Sequence, residues 1–182
     1  MTAHSPHGAP AYSVGGMGLL RGAVLVAATM TMGLAAGAFA LYAHTIMPGL
    51  RRTDDRTFVA AFQTLDRAII NPWFMASFFG ALVLTGLAAA LHLGRDQRTV
   101  LPWIAAAFAL YLAAVVITLA VNVPLNDALK AAGHPDRIGD LASVRGRFNE
   151  TRWAAWNLVR TVTSTAAFGC LTWALVTYGR HN

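Results

Sequence analysis

The chain has 182 residues, of which 56% are hydrophobic and 12% charged, against about 25% charged in an average soluble protein. Its single cysteine, Cys170, excludes an intramolecular disulfide and any cysteine-rich zinc or iron–sulfur centre. The net charge of +6 comes from arginines that flank apolar runs, which fits contact with anionic lipid headgroups and argues against a nucleic-acid partner.

Four stretches contain no Asp, Glu, Lys or Arg: residues 22–50, 68–94, 99–126 and 161–179. A membrane-crossing helix needs about 20 residues, so each stretch can hold one. The expected fold is all-α, an integral membrane four-helix bundle with spans near 19–42, 73–93, 101–123 and 156–178. These make one domain, 19–180, with no room for a second. Residues 1–18, with their Gly, Pro, Ser and the histidines His4 and His7, read as a disordered tail. The first apolar run is too long for the core of a cleaved signal and is read as a retained helix.

After the first span, Pro48-Gly49 marks a turn and opens a long loop, about 44–72. Within it, Phe58, Phe62, Leu65 and Ile69 recur at helical spacing, which predicts an amphipathic helix lying at the membrane interface. Loop two, about 94–100, is short; His92 just before it reads as an interfacial residue. Loop three, about 124–155, breaks at Gly133-His134-Pro135 and resumes as helix from about Asp140. Loops one and three carry nine Lys or Arg and the opposite side four. The raw count places the long loops in the cytoplasm, the density of Arg95 and Arg98 in loop two places them outside, and the orientation stays open.

The chemistry-bearing residues collect at one level of this arrangement. Asn122 and Asn126 lie four apart at the end of the third run, and share a face if the helix continues through Pro124. Asn157 and Arg160 lie three apart at the start of the fourth. Such groups cost several kcal/mol, on the order of 2–7, if left unpaired in hydrocarbon, so they face one another, water or a ligand. Amides can orient a phenol or quinone-like carbonyl. Arg160 either stabilises an anion inside the bundle or snorkels to the headgroups. Trp153 and Trp156 either form an aromatic belt or wall a flat aromatic substrate. His44 and Asp66 fall on the same side and are candidate bases, each with an ordinary structural alternative. His44 with His134 or Met47 is a weak candidate metal set, because no dense ligand spacing such as HxH or HExxH occurs.

Three blocks together carry a resemblance. The first is Ile46-Met47-Pro48-Gly49-Leu50, with Phe62-Gln63-Thr64-Leu65-Asp66-Arg67-Ala68-Ile69-Ile70-Asn71-Pro72 after it. The second is Asn122-Val123-Pro124-Leu125-Asn126-Asp127-Ala128-Leu129. The third is Phe148 followed by Trp153-Ala154-Ala155-Trp156-Asn157-Leu158-Val159-Arg160-Thr161. With the spacing of the apolar runs, the chain resembles the anthrone oxygenase-like family of small integral membrane proteins over about residues 20–178. One departure is Asp66, where the family pattern often has an asparagine.

The resemblance implies an oxygenase of a secondary-metabolism type that converts an anthrone to an anthraquinone. An anthrone loses a benzylic proton to give an electron-rich anion able to react with dioxygen without a cofactor. On this chain the resemblance implies His44 or Asp66 as the base, Arg160, Asn126 and Asn157 as holders of the oxyanion, and Trp153 and Trp156 as stacking walls, with Asn122 also at the substrate. The implied partners are the lipid bilayer, a lipophilic small molecule and O2; a plasma membrane of a bacterium is the expected location and an oligomer is open. Two other readings stand beside it. One is a metal- or haem-dependent membrane redox enzyme using His44 and His134. The other is a non-enzymatic membrane accessory or ligand-binding subunit in which the polar residues are structural glue.

Overall fold

A computed structural model describes residues 12–94 and 97–181; 88% of the described residues are helical and none of them is in a strand. Helix α1, Tyr12–Leu41, passes through a π-helical turn at Tyr42–Ile46 into the short α2, Met47–Leu50. It therefore begins ahead of the expected boundary: of the expected tail, residues 12–18 are helical, while residues 1–11 lie outside the described residues. Next comes α3, Asp55–Ile69, whose N-terminus is capped by the Asp54 side chain accepting from the Thr57 N–H at 3.0 Å. Helix α4, Pro72–Leu91, starts where Asn71 Oδ1 accepts from the Phe74 N–H at 3.0 Å and proline occupies the first turn, where its missing N–H costs no bond.

The third apolar run does not end near residue 123. Helix α5, Leu101–Ile117, continues through a second π-helical turn, Thr118–Asn122, into α6, Val123–Ala131. Pro124 falls in the first turn of α6, directly after the widened turn, so its ring breaks nothing. Gly133, at φ 88°, ends this rod in a left-handed conformation that a side chain would strain. A 3-10 turn at Pro135–Arg137 and α7, Leu141–Phe148, capped by Asp140, complete loop three. Asn149, at φ 53°, turns the chain into α8, Glu150–His181, which thus starts earlier than expected.

Among the described residues, three helical stretches are long and apolar enough to cross a membrane: Gly16–Leu50, Pro72–Leu91 and Leu101–Ala131. These fit a membrane protein. Helix α8 is not among them, because Asn157, Arg160, Thr161, Thr163 and Ser164 dilute its first half. It nevertheless packs along both α1 and α5, while α4 packs on α1 and, less extensively, on α5. Close approach of α1 and α8 depends on Gly33, where an added Cβ would sit 3.0 Å from the Phe168 ring. The resulting core joins Leu25, Met32, Ile104, Tyr111 and Leu171. His92 belongs to this region, and not to an interface as its position implied. It is fully buried, with Nδ1 2.7 Å from the Ala88 carbonyl and its ring against Tyr178.

A second core caps one end of the long helices. Phe58, Phe62, Leu129, Phe148 and Trp153 form it, with the Phe62 and Phe148 rings 4.6 Å apart. This corrects the expectation for α3. The helix is amphipathic, but its apolar face is buried against α6 and α7, so it is not offered to lipid. Arg145 ties the cap together. Its guanidinium donates to Glu150 Oε1 at 2.6 Å, to the Thr53 carbonyl at 2.9 Å and to Asp55 Oδ1 at 3.0 Å, and lies 4.3 Å from the Phe58 ring centre. The hydrogen bond to Glu150 holds the Arg145 guanidinium above its usual pKa. Arg145→Ala leaves the mostly enclosed Glu150 carboxylate and the more exposed Asp55 without this donor and is expected to cost about 1–3 kcal/mol, read as a lower thermal midpoint in detergent.

Candidate functional site

Between the two cores lies a cavity of about 240 Å³, walled by five helical elements. The end of α1 and its π-helical turn supply Phe39 and Tyr42; α3 supplies Phe62, Asp66 and Ile69; α4 supplies Phe74, Met75, Phe78 and Phe79. The α5–α6 rod supplies Thr118, Leu119, Val123, Asn126 and Lys130, and α8 supplies Trp153 and Arg160. Both π-helical turns border it, through Tyr42 and through Thr118 and Leu119. Widened turns of this kind recur at functional sites, because the extra residue re-aims neighbouring side chains.

The lining is apolar except at two poles. At the outer pole, Asp66 Oδ1 accepts from Asn126 Nδ2 at 2.6 Å, and Asp66 Oδ2 pairs with Lys130 Nζ at 2.8 Å. Asn126 Oδ1 in turn accepts from Trp153 Nε1 at 2.7 Å. The indole, the amide and the carboxylate thus form one chain of hydrogen bonds that fixes the direction of Asp66. Lys130 also reaches Asp127 Oδ1, at 3.0 Å, on the exposed side.

Arg160 forms the inner pole and is only 5% exposed. Nη2 donates to Asn157 Oδ1 at 2.7 Å and Nη1 to Thr118 Oγ1 at 3.1 Å. Its carbon centre lies 4.6 Å from the Phe39 ring centre and 5.5 Å from that of Trp153. The guanidinium is therefore turned inward, and the alternative of snorkelling to headgroups is set aside by burial. Asn157 stands behind it, donating to the Phe39 carbonyl at 3.2 Å, and holds the arginine without lining the cavity. Asn122 likewise lies outside the lining, fully enclosed and donating to the Trp153 carbonyl at 3.2 Å.

The structure brings Asp66, Asn126, Trp153 and Arg160 to one cavity and leaves five expected residues outside its lining: Asn122 and Asn157, enclosed behind it, and His44, Trp156 and His134, turned away from it. His44 is exposed, with Nδ1 2.8 Å from Thr45 Oγ1, because the π-helical turn points it away while presenting Tyr42 inward. Trp156, three residues after Trp153, falls on the outer face of α8 at 38% exposure, as a lipid-belt residue would. His134 is exposed in loop three, and its Nδ1 lies 3.5 Å from Asp136. The proposed pairing of His44 and His134 at a metal therefore has no place in the cavity. Among the described residues no group of three or more His, Cys, Asp or Glu side chains is assembled that could hold a metal ion. His44→Ala is accordingly expected to change stability by no more than about 0.5 kcal/mol, as is typical of surface substitutions, read as an unchanged thermal midpoint in detergent.

Lys130, Asp127, Tyr42 and Thr118 are the polar lining residues that the sequence did not single out. Lys130 was legible in principle, since Asn122, Asn126 and Lys130 recur every four residues once the rod is allowed to pass through Pro124.

A family model described as anthrone oxygenase matches residues 73–170, more than half of the chain. The chain belongs to the anthrone oxygenase family. The matched region runs from the start of α4 into α8 and contains Asn126, Lys130, Trp153 and Arg160. Asp66 and Tyr42 approach the cavity from outside the matched region. No curated protein and no solved structure matches the chain.

Proposed function

We propose that this anthrone oxygenase family member is a four-span membrane enzyme that oxidises a lipophilic aromatic, of anthrone or phenolic type, with dioxygen. The observation that carries the reading is the cavity itself. Its walls are aromatic and aliphatic, a carboxylate is fixed at one pole, and a buried guanidinium is fixed at the other. The fourth crossing is supported by the surface of α8. Val162, Phe168, Trp173 and Val176 face outward, whereas Asn157, Arg160 and Ser164 face in. The exposed hydroxyls of Thr163, Thr172 and Thr177 bond carbonyls one turn back and present no unmet donor to lipid.

In this reading the flat substrate lies against Trp153, Phe39 and Phe78. The Asp66 carboxylate, held by Asn126 and Lys130, removes a proton from the ring CH2 opposite the carbonyl. Negative charge collects on that carbonyl oxygen, where Arg160 donates. The carbanion gives two electrons to dioxygen and forms a C–O bond. The distal peroxide oxygen takes back the proton from Asp66. The carboxylate then removes the second C–H proton, the O–O bond breaks, and the departing hydroxide takes that proton as water. CH2 plus O2 becomes C=O plus H2O, and the enzyme ends with its protons as they began. His44 has no part in these steps; Asp66 takes the role of base for this chain.

The exposed lining residues Ile70, Phe79 and Leu119 sit on the apolar outer surface, so a substrate dissolved in the bilayer reaches the cavity sideways without crossing water. Dioxygen also partitions into lipid. The test is oxygen uptake by the purified protein in lipid nanodiscs given an anthrone: the reading expects one O2 consumed per quinone formed, and no uptake above the protein-free rate overturns it.

A further inference from the structure

The charges of the two poles are not equivalent. At the outer pole Lys130 is engaged by two carboxylates, Asp66 at 2.8 Å and Asp127 at 3.0 Å. At the inner pole Arg160 has only neutral company among the described residues: the Thr118 hydroxyl, the Asn157 amide, and the faces of Phe39 and Trp153. Its Nε–H is buried with no hydrogen-bond partner among the described residues. The titratable groups close enough to act on it electrostatically are Tyr42 and Tyr111, both phenols and neutral at pH 7. Tyr111 is committed elsewhere, donating to the Phe78 carbonyl at 2.9 Å. Tyr42 lines the same cavity. A cation held in an apolar setting without a counterion is costly, and the cavity wall is the open side from which one can arrive.

From this geometry we infer that the inner pole is an anion site, and that the cavity takes its aromatic ligand as a monoanion with the ionised oxygen against Arg160. The inference rests on the proposed reading of the cavity as a substrate site and narrows its substrate class. An aromatic carrying an acidic hydroxyl is taken, and the same ring system without one is taken poorly. The ligand arrives from the bilayer as the neutral acid. On binding, its O–H bond breaks, the proton is released to the aqueous buffer, and the electron pair stays on the oxygen. An opposite charge within about 4–6 Å lowers the pKa of such an acid by about 1–3 pH units. A hydroxyl that is neutral in buffer at pH 7 is then ionised in the cavity.

The probe is 1,8-dihydroxyanthraquinone, which already has its ring carbonyls, cannot undergo the oxygenation, and changes its visible absorption when a hydroxyl ionises. With the full-length protein in detergent at pH 7, the bound dye is expected to show the ionised band and to release about one proton per dye into weak buffer. Asp66→Asn retains the band, because the proton goes to solvent. Arg160→Lys retains it in part, and Arg160→Met loses it. An aromatic carboxylate displaces the dye, and displacement by dodecanoate as well identifies the shared chemistry as an oxyanion on any apolar body. Unsubstituted anthraquinone displaces it at least tenfold less effectively. Absence of binding, binding of the dye in its neutral form, or equal displacement by anthraquinone each overturns the inference. The wild-type spectrum decides even if Arg160→Met fails to fold. The ionised band with no oxygen uptake on an anthrone would sink the proposed reaction and leave the anion site standing; turnover with a neutral bound dye would do the reverse.

Discussion

Replacing Arg160 by methionine is expected to lower oxygen uptake with an anthrone by about 10²- to 10³-fold, the usual consequence of removing a preorganised donor to a developing oxyanion. The side chain is 5% exposed, donates to two neutral groups and faces the cavity. Methionine keeps much of the volume and removes the charge. Two opposing effects on stability follow. Asn157 Oδ1 and Thr118 Oγ1 lose a donor, at about 1–3 kcal/mol each where no replacement is found, while the cost of a buried cation disappears. The folded fraction in detergent should therefore change far less than the rate. Arg160→Lys keeps the charge but loses the planar fork, and should fall between wild type and methionine. A variant that unfolds as completely as it loses activity would mark Arg160 as a structural strut only.

Asp66→Asn carries the second large expected effect, a fall in kcat of about 10²- to 10⁴-fold with little change in KM, since general-base catalysis contributes on that scale. The amide is isosteric and leaves Lys130 its second carboxylate, Asp127, so the outer pole should remain assembled. Asn126 is the internal control for positioning. It bridges Asp66 and Trp153 Nε1 but reaches the reaction only through them. Asn126→Leu should weaken activity less than Asp66→Asn, because the carboxylate remains but loses a donor and its fixed direction. Full activity of Asp66→Asn would return the base to some other group and leave the cavity without the role assigned to its outer pole.

The helical, apolar character of the chain was legible from charge-free runs alone, and so was the convergence of Asn126 and Arg160, because two polar residues in two such runs have few places to go. The position of the third helix end was not. A proline usually limits a helix, and the π-helical turn at Thr118–Asn122 that lets the rod pass Pro124 has no local sequence signature. That one turn carries Asn126 and Lys130 onto the cavity instead of into a loop. The other π-helical turn, Tyr42–Ile46, misled in the opposite direction. It swings His44 outward and Tyr42 inward, so the imidazole, one of the two candidate bases, lies outside. Trp153 and Trp156 separated for a simpler reason: a step of three residues along α8 spans the boundary between its inner and outer faces, and no pattern in Trp153-Ala154-Ala155-Trp156 says where that boundary falls. The amphipathic period of α3 was correctly readable, but a period cannot tell whether an apolar face meets lipid or protein; the aromatic cap of Phe58, Phe62 and Phe148 decides it.

The most direct measurement is the fate of labelled dioxygen. Purified protein in nanodiscs is given a hydroxylated anthrone under 18O2, and the product is read by mass spectrometry. Chemistry in the cavity between Asp66 and Arg160 predicts one labelled atom in the new quinone carbonyl and the other in water, with both Asp66→Asn and Arg160→Met reducing labelled product at least a hundredfold. Unlabelled quinone, or labelled quinone formed equally well by both variants, contradicts it.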